Sequence, residues 1–138
     1  MDNELKRELI LENFNNPVNK GLTNDPSYIK GEKNNASCID HFTIELLLDN
    51  DIIKDIRFDG EACAIATSSL SIAISTLIGK TKEDAIKIID NYNKMIGHEE
   101  YDKDLLDNLI IYEDISKQPA RVNCATLGIN GIEDLLKK

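Results

Sequence analysis

The sequence predicts an α+β fold, a small antiparallel β-sheet of about three strands with helices packed on one side. Three features carry this prediction: an alternating hairpin over residues 41 to 59, an apolar and nearly all-round helix directly after it, and helix-periodic segments on both flanks. With 138 residues, 41% of them hydrophobic, the chain is long enough for one ordinary core, so a single domain over 1–138 is expected.

From Asp2 to Phe14, the residues Leu5, Leu9, Ile10 and Phe14 recur at helical spacing, and Pro17 within an Asn-rich stretch ends the pattern. Residues 15 to 37 are rich in Asn, Pro, Gly and Ser and read mostly as loop, with Tyr28 and Ile29 as a short edge strand. Phe42, Ile44, Leu46 and Leu48 then alternate with Thr43, Glu45 and Leu47. Asn50–Asp51 makes the turn, and Ile52, Ile53, Ile56 and Phe58 form the return strand.

Past Gly60, the run ACAIATSSLSIAISTLIG predicts a buried helix ending at Gly79, with Cys63 at or just before its start. Thr81 followed three residues later by Asp84 caps another helix through about Met95, and a further short helix is expected at 102 to 112. The acidic cluster from Glu99 to Asp107 reads as solvated surface. Pro119 suits the first turn of a last helix bearing Val122, Leu127, Ile132, Leu135 and Leu136 despite Gly128 and Gly131, and Cys124 falls near its beginning.

Composition narrows the function classes. Sixteen basic against twenty-five acidic residues give a net charge of -9, which repels phosphate backbones and anionic lipid, so neither nucleic acid nor membrane is an expected partner. No run approaches the roughly eighteen apolar residues of a membrane span, and MDNELKRELILENF lacks a signal-peptide core, so a cytoplasmic location is expected. Three cysteines in a reducing compartment read as core residues, metal ligands or reactive thiols rather than disulfides.

Soft thiolates joined by a carboxylate are what a tetrahedral zinc site uses, and Cys38, Asp40, Cys63 and Cys124 supply such a set. The cysteines fall before the hairpin, at the start of the buried helix and in the first turns of the last one, ends that can converge at one sheet edge. If 38 to 40 is extended, Cys38 and Asp40 share a face while His41 points away, making Asp40 the better fourth ligand. Free cysteine also packs well as a small hydrophobe, and Cys63 between Ala62 and Ala64 suits that role too, so spacing alone leaves both readings open. His98, beside Gly97 and an acidic run, reads as a surface residue. Arg121, three residues before Cys124, is either a surface charge or a cation that stabilises thiolates.

Four segments together resemble the SufU/IscU (NifU N-terminal) iron–sulfur cluster assembly family: ENFNNPVNKG at 12 to 21, NNASCID at 34 to 40, RFDGEACAIATSS at 57 to 69 and KQPARVNCATL at 117 to 127. The resemblance implies that Cys38, Asp40, Cys63 and Cys124 are the metal ligands. Asn123, where IscU-type members carry a histidine, and the added segment GHEEYDKDLLDNLIIYEDISKQ both look SufU-type. That subgroup implies a sulfurtransferase-like zinc protein that accepts persulfide sulfur, on Cys38 by resemblance with Cys124 as runner-up, from a PLP-dependent, SufS-like cysteine desulfurase. It implies downstream iron–sulfur assembly or acceptor proteins as further partners. The alternative is an IscU-type scaffold on which iron and a [2Fe–2S] cluster occupy the same ligands. Ile39 stands where the family usually has glycine; a β-branched residue forbids a positive φ there, so a stiffer loop is expected. Ala62 also replaces a usual glycine, and the tryptophan common after CATL in SufU is absent.

Overall fold

In the computed structural model, which describes residues 1–35 and 40–138, a helix α1 (Asn3–Asn15) precedes three strands, β1 (Ile29–Asn34), β2 (His41–Asp49) and β3 (Ile52–Asp59). Helices α2 (Ala64–Leu77), α3 (Lys82–Ile96) and α4 (Pro119–Leu136) follow, with three short 3₁₀ turns between α3 and α4. The strands form one antiparallel sheet in the order β1-β2-β3.

Period-2 alternation sets the sheet's buried face: Phe42, Ile44, Leu46, Ile53, Ile56 and Phe58 are all sealed in the core. Ile44 lies opposite Phe58 and Leu46 opposite Ile56, and the Phe42 and Phe58 rings meet edge to face at 5.6 Å. The turn works because Asn50 and Asp51 both take left-handed backbone, with φ of 52° and 62°, as a tight hairpin requires. A register shift between Leu47 and Leu48 absorbs the irregularity of the predicted alternation there.

The first strand is longer than the sequence suggested. Instead of a two-residue edge around Tyr28 and Ile29, β1 runs from Ile29 to Asn34 in full register with β2. Its polar sequence IKGEKN hides the strand, because half its side chains face solvent and the packing of α4 supplies what propensity does not. Gly31 and Gly131 explain the closeness of that packing: a Cβ on Gly31 would come within 2.9 Å of Leu135, and one on Gly131 within 2.7 Å of Ile44.

Helix α2 is the central element, buried along most of its length and packed against α1, α4 and the 3₁₀ segment. Gly128 of α4 abuts Leu70 of α2, where a Cβ would sit 2.6 Å from the Leu70 Cβ, so the two glycines that weaken α4 on propensity are the points where it touches its neighbours. The expected short helix at 102 to 112 is instead a series of 3₁₀ turns at Lys103–Leu105, Asp107–Tyr112 and Ile115–Lys117. Tyr112 carries this segment into the core, where its hydroxyl meets the Ser68 hydroxyl at 2.6 Å.

Helix α1 follows the helical spacing of its apolar residues only in part: Leu9 and Ile10 pack against the core. Leu5 and Phe14 are 44% and 40% exposed, whereas Lys6 is buried and pairs with Glu113 at 3.0 Å and Asp114 at 3.3 Å. Among the described residues, no helix is long and apolar enough to cross a membrane.

Candidate metal centre

Three structural ends meet at one edge of the sheet. Gly60, at φ +130°, turns the chain out of β3, and a Cβ there would collide with the His41 carbonyl. That close approach, with the His41 N–H bonded to the Glu61 carbonyl at 3.0 Å, brings Asp40 at the start of β2 against Cys63 at the start of α2.

Asp40 is 5% exposed and its carboxylate is shared between the two described cysteines. One oxygen accepts the Cys63 backbone N–H at 3.0 Å, and the other accepts the Cys124 thiol at 3.6 Å. Cys63 is the N-cap of α2, and its sulfur accepts the Ala66 N–H at 3.4 Å, a role usually taken by Ser or Asp. Cys124 sits in the second turn of α4, next to Ala125, whose carbonyl accepts the Tyr92 hydroxyl at 2.7 Å and so fixes that helix against α3.

The ligand atoms of Asp40, Cys63 and Cys124 all lie within 4.8 Å of one another. A tetrahedral zinc with bonds of about 2.3 Å to sulfur separates its ligand atoms by about 3.7 Å, so small side-chain rotations convert this cluster into a coordination set. Without a cation the cluster is electrostatically awkward. Burial, then the Cys63 thiol, then the Asp40 carboxylate push the Cys124 thiol up to about 12. Two thiols and a carboxylate held together with that penalty fit a divalent metal, whose charge stabilises all three deprotonated groups.

Cys38 and Ile39 lie outside the described residues. His41 is exposed, and among the described residues the cluster comprises Asp40, Cys63 and Cys124. His98 is a surface residue whose ring nitrogen meets the Ser116 carbonyl at 3.1 Å. Arg121 is exposed in the first turn of α4, without an ion-pair or side-chain hydrogen-bond partner among the described residues.

Beside the cluster opens a cavity of about 610 Å³, lined by Asp40, Cys63 and Thr67, by Phe14 and Pro17 from the end of α1 and the loop after it, and by Lys20. Sequence reasoning passed over Lys20. It lies in the segment ENFNNPVNKG that carried the family resemblance, but a lone lysine in a loop has no periodicity or spacing to distinguish it.

Residues 5–127 match the family model described as the NifU-like N terminal domain. The zinc-dependent sulfurtransferase SufU of Bacillus subtilis is 35% identical over 94% of this chain and 87% of its own length. The iron–sulfur cluster assembly scaffold protein IscU of Thermotoga maritima is 33% identical over 95% of this chain and 92% of its own. Among solved structures, an iron–sulfur cluster assembly scaffold protein for the SUF system from Fervidobacterium islandicum superposes with a TM-score of 0.84 at 32% identity, covering 94% of both chains. The chain therefore belongs to the NifU-like N-terminal family of iron–sulfur cluster assembly proteins, together with SufU and IscU.

Proposed function

We propose that this chain acts as a single-domain, cytoplasmic sulfur carrier of the SufU type. It holds zinc with Cys38, Asp40, Cys63 and Cys124 and takes persulfide sulfur from a PLP-dependent, SufS-like cysteine desulfurase. The observation that carries this reading is the convergence of Asp40, Cys63 and Cys124 within 4.8 Å. Similarity to a zinc-dependent sulfurtransferase and Asn123 before the last cysteine support the carrier reading in particular. Bound zinc supplies Lewis acidity that keeps the thiols deprotonated.

Cys38 is the proposed acceptor. Of the other two thiols, Cys63 is tied into the α2 N-cap and Cys124 is buried in α4. The Cys38 thiolate attacks the terminal sulfur of the desulfurase persulfide; a new S–S bond forms, the donor's S–S bond breaks, and the donor cysteine leaves as a thiolate. Charge and electrons balance without an added oxidant. Asp40, Cys63 and Cys124 stay gathered at the cavity while the sulfur is carried to an iron–sulfur assembly or acceptor protein. Arg121, three residues before Cys124, is the proposed cation that steadies this anionic set.

Each single Cys→Ser variant, mixed with desulfurase and cysteine and read by mass spectrometry, tests the assignment. Cys38→Ser is expected to gain no sulfur, and normal uptake by that variant would overturn it. Elemental analysis separates the scaffold alternative, which the similarity to IscU keeps in view. One zinc per chain, retained against iron, supports the carrier, whereas a reconstituted chromophore transferable to an apo-protein supports the scaffold.

A further inference from the structure

Persulfides and thiolates are anions, yet the cavity that would receive them is lined by acidic groups. Asp40 and Glu61 both face it, Cys63 adds a thiol, and Asp59 stands in the adjoining groove with His41 and Glu61. The whole chain carries a net charge of -9. A sulfur anion entering this cavity therefore meets repulsion from these groups.

Among the described residues, Lys20 is the cationic side chain that lines this cavity, and it lines the adjoining groove as well. Its backbone is locked in place. Lys20 bridges to Phe58 alongside β3, Gly21 donates to the Phe58 carbonyl at 2.7 Å, and Phe58 donates to the Asn19 carbonyl at 3.2 Å. Arg57, a second cation nearby, spends its guanidinium on the carbonyls of Gly21 and Lys20, at 2.8 and 3.3 Å. The Lys20 ammonium has no hydrogen-bond or ion-pair partner among the described residues, although the chain has many more acids than bases. A fixed backbone, an ammonium without a described partner and an acidic cavity containing a thiol form one arrangement. Arg121, the cation the sequence singled out, is not among the residues lining it.

We propose that Lys20 is a substrate-binding residue: its ammonium binds the anionic sulfur group brought into the cavity and holds it beside Cys63 and Asp40. This rests on the sulfur-acceptor reading for the identity of the anion, but the anion binding itself can be measured without a sulfur donor. An ammonium a few ångströms from an anion at a wet protein surface changes local encounter by several-fold, and salt weakens the effect.

The test compares alkylation of Cys63 by iodoacetate, an anion, and iodoacetamide, its neutral analogue, in the full-length chain as purified, at matched metal content and with peptide mass spectrometry to separate the cysteines. Lys20→Gln is expected to lower the iodoacetate-to-iodoacetamide rate ratio about fivefold, Lys20→Glu to lower it further, and Lys20→Arg to restore it. The difference should shrink in about 1 M salt, where the screening length is about 3 Å. A purely structural lysine would change both reagents alike and leave the ratio fixed, so an unchanged ratio, or an arginine that fails to restore it, overturns the role of Lys20. Failure of the wild-type chain to take sulfur from a desulfurase sinks the carrier reading and leaves the ratio to decide on Lys20.

Discussion

Two helix beginnings present a cysteine to Asp40, and they do so in opposite ways. At α2 the thiol of Cys63 lies outside the helix as its cap, lines the cavity and accepts a backbone N–H. At α4 the thiol of Cys124 lies inside the second turn, 9% exposed, and donates to the carboxylate. One carboxylate thus reads a backbone donor on one side and a side-chain donor on the other, and this makes Asp40 the keystone that spaces the two sulfurs. The α2 side is thus built for access and the α4 side for anchorage.

Replacing Asp40 by Ala removes both contacts together and should have the largest effect. Under the proposed zinc ligation, affinity for added zinc is expected to fall by more than the roughly 10–100-fold that loss of an outer-shell partner costs. Competition with a chromogenic chelator measures it, and an affinity within twofold of wild type would remove Asp40 from the ligand set.

Next in size is the spacing between the two helices. Gly128→Ala drives a Cβ into Leu70, with 2.6 Å between carbons, and both partners are backbone-proximal atoms that cannot swing away. Overpacking of this kind costs about 1–3 kcal/mol, although alanine is intrinsically the better helix former. Denaturant midpoints check the sign: stabilisation by the alanine would show that α2 and α4 are free to part, and with them the two cysteines.

Much of this was legible in the sequence because the signals were local. The hairpin alternation, the Asn50–Asp51 turn, the capping pair Thr81 and Asp84 and Pro119 at the start of α4 each depend on neighbours in the chain. That Asp40, Cys63 and Cys124 lie within 4.8 Å of one another was suggested by the family resemblance, because spacing along the chain left the cysteines readable as core residues too. What was hidden depends on tertiary packing. Polar β1 is a strand because β2 pairs with it and α4 covers it. Gly128 and Gly131 looked like defects until their neighbours were known, and Lys20 became notable only once a cavity surrounded it. Of the four apolar residues at helical spacing in α1, Leu9 and Ile10 pack against the core while Leu5 and Phe14 stay exposed, and Lys6 is buried because Glu113 and Asp114 pair with it.

The 3₁₀ segment supports the α2 side from behind. Tyr112→Phe deletes the hydroxyl bonded to Ser68, one turn past the Cys63 cap, while keeping the ring packed at 6.3 Å from Tyr92. Ser68 keeps a second contact to the Ile65 carbonyl at 3.3 Å, which moderates the loss to about 1 kcal/mol. Thermal unfolding checks this, and a loss well above that figure would mean that the hydroxyl organises the α2 start rather than merely filling a partner's need.

The smallest effect sharpens the comparison at its outer edge, where Lys6 clasps α1 to the 3₁₀ segment. Burial pulls the Lys6 pKa down, but its hydrogen bonds to Glu113 and Asp114 and their charges together hold it above the ordinary 10.5. In return the Lys6 hydrogen bond, opposed by burial and helped by the charge of Lys6 and by Lys117, holds the Asp114 carboxyl below its ordinary 3.8. A raised lysine value contributes stability that is present below 10.5 and lost as pH climbs through the folded value. A depressed carboxylate contributes stability that is present above 3.8 and lost as pH falls through the folded one. The clasp therefore operates between these limits and weakens at both ends. Because Asp114 is half exposed, Lys6→Met should cost under about 1 kcal/mol near neutral pH, and the gap to wild type should narrow in acid and in strong alkali. Unfolding midpoints recorded across pH decide it, since a gap that stays constant from acid to alkali would mean that Lys6 acts through its buried stem and not through its charge.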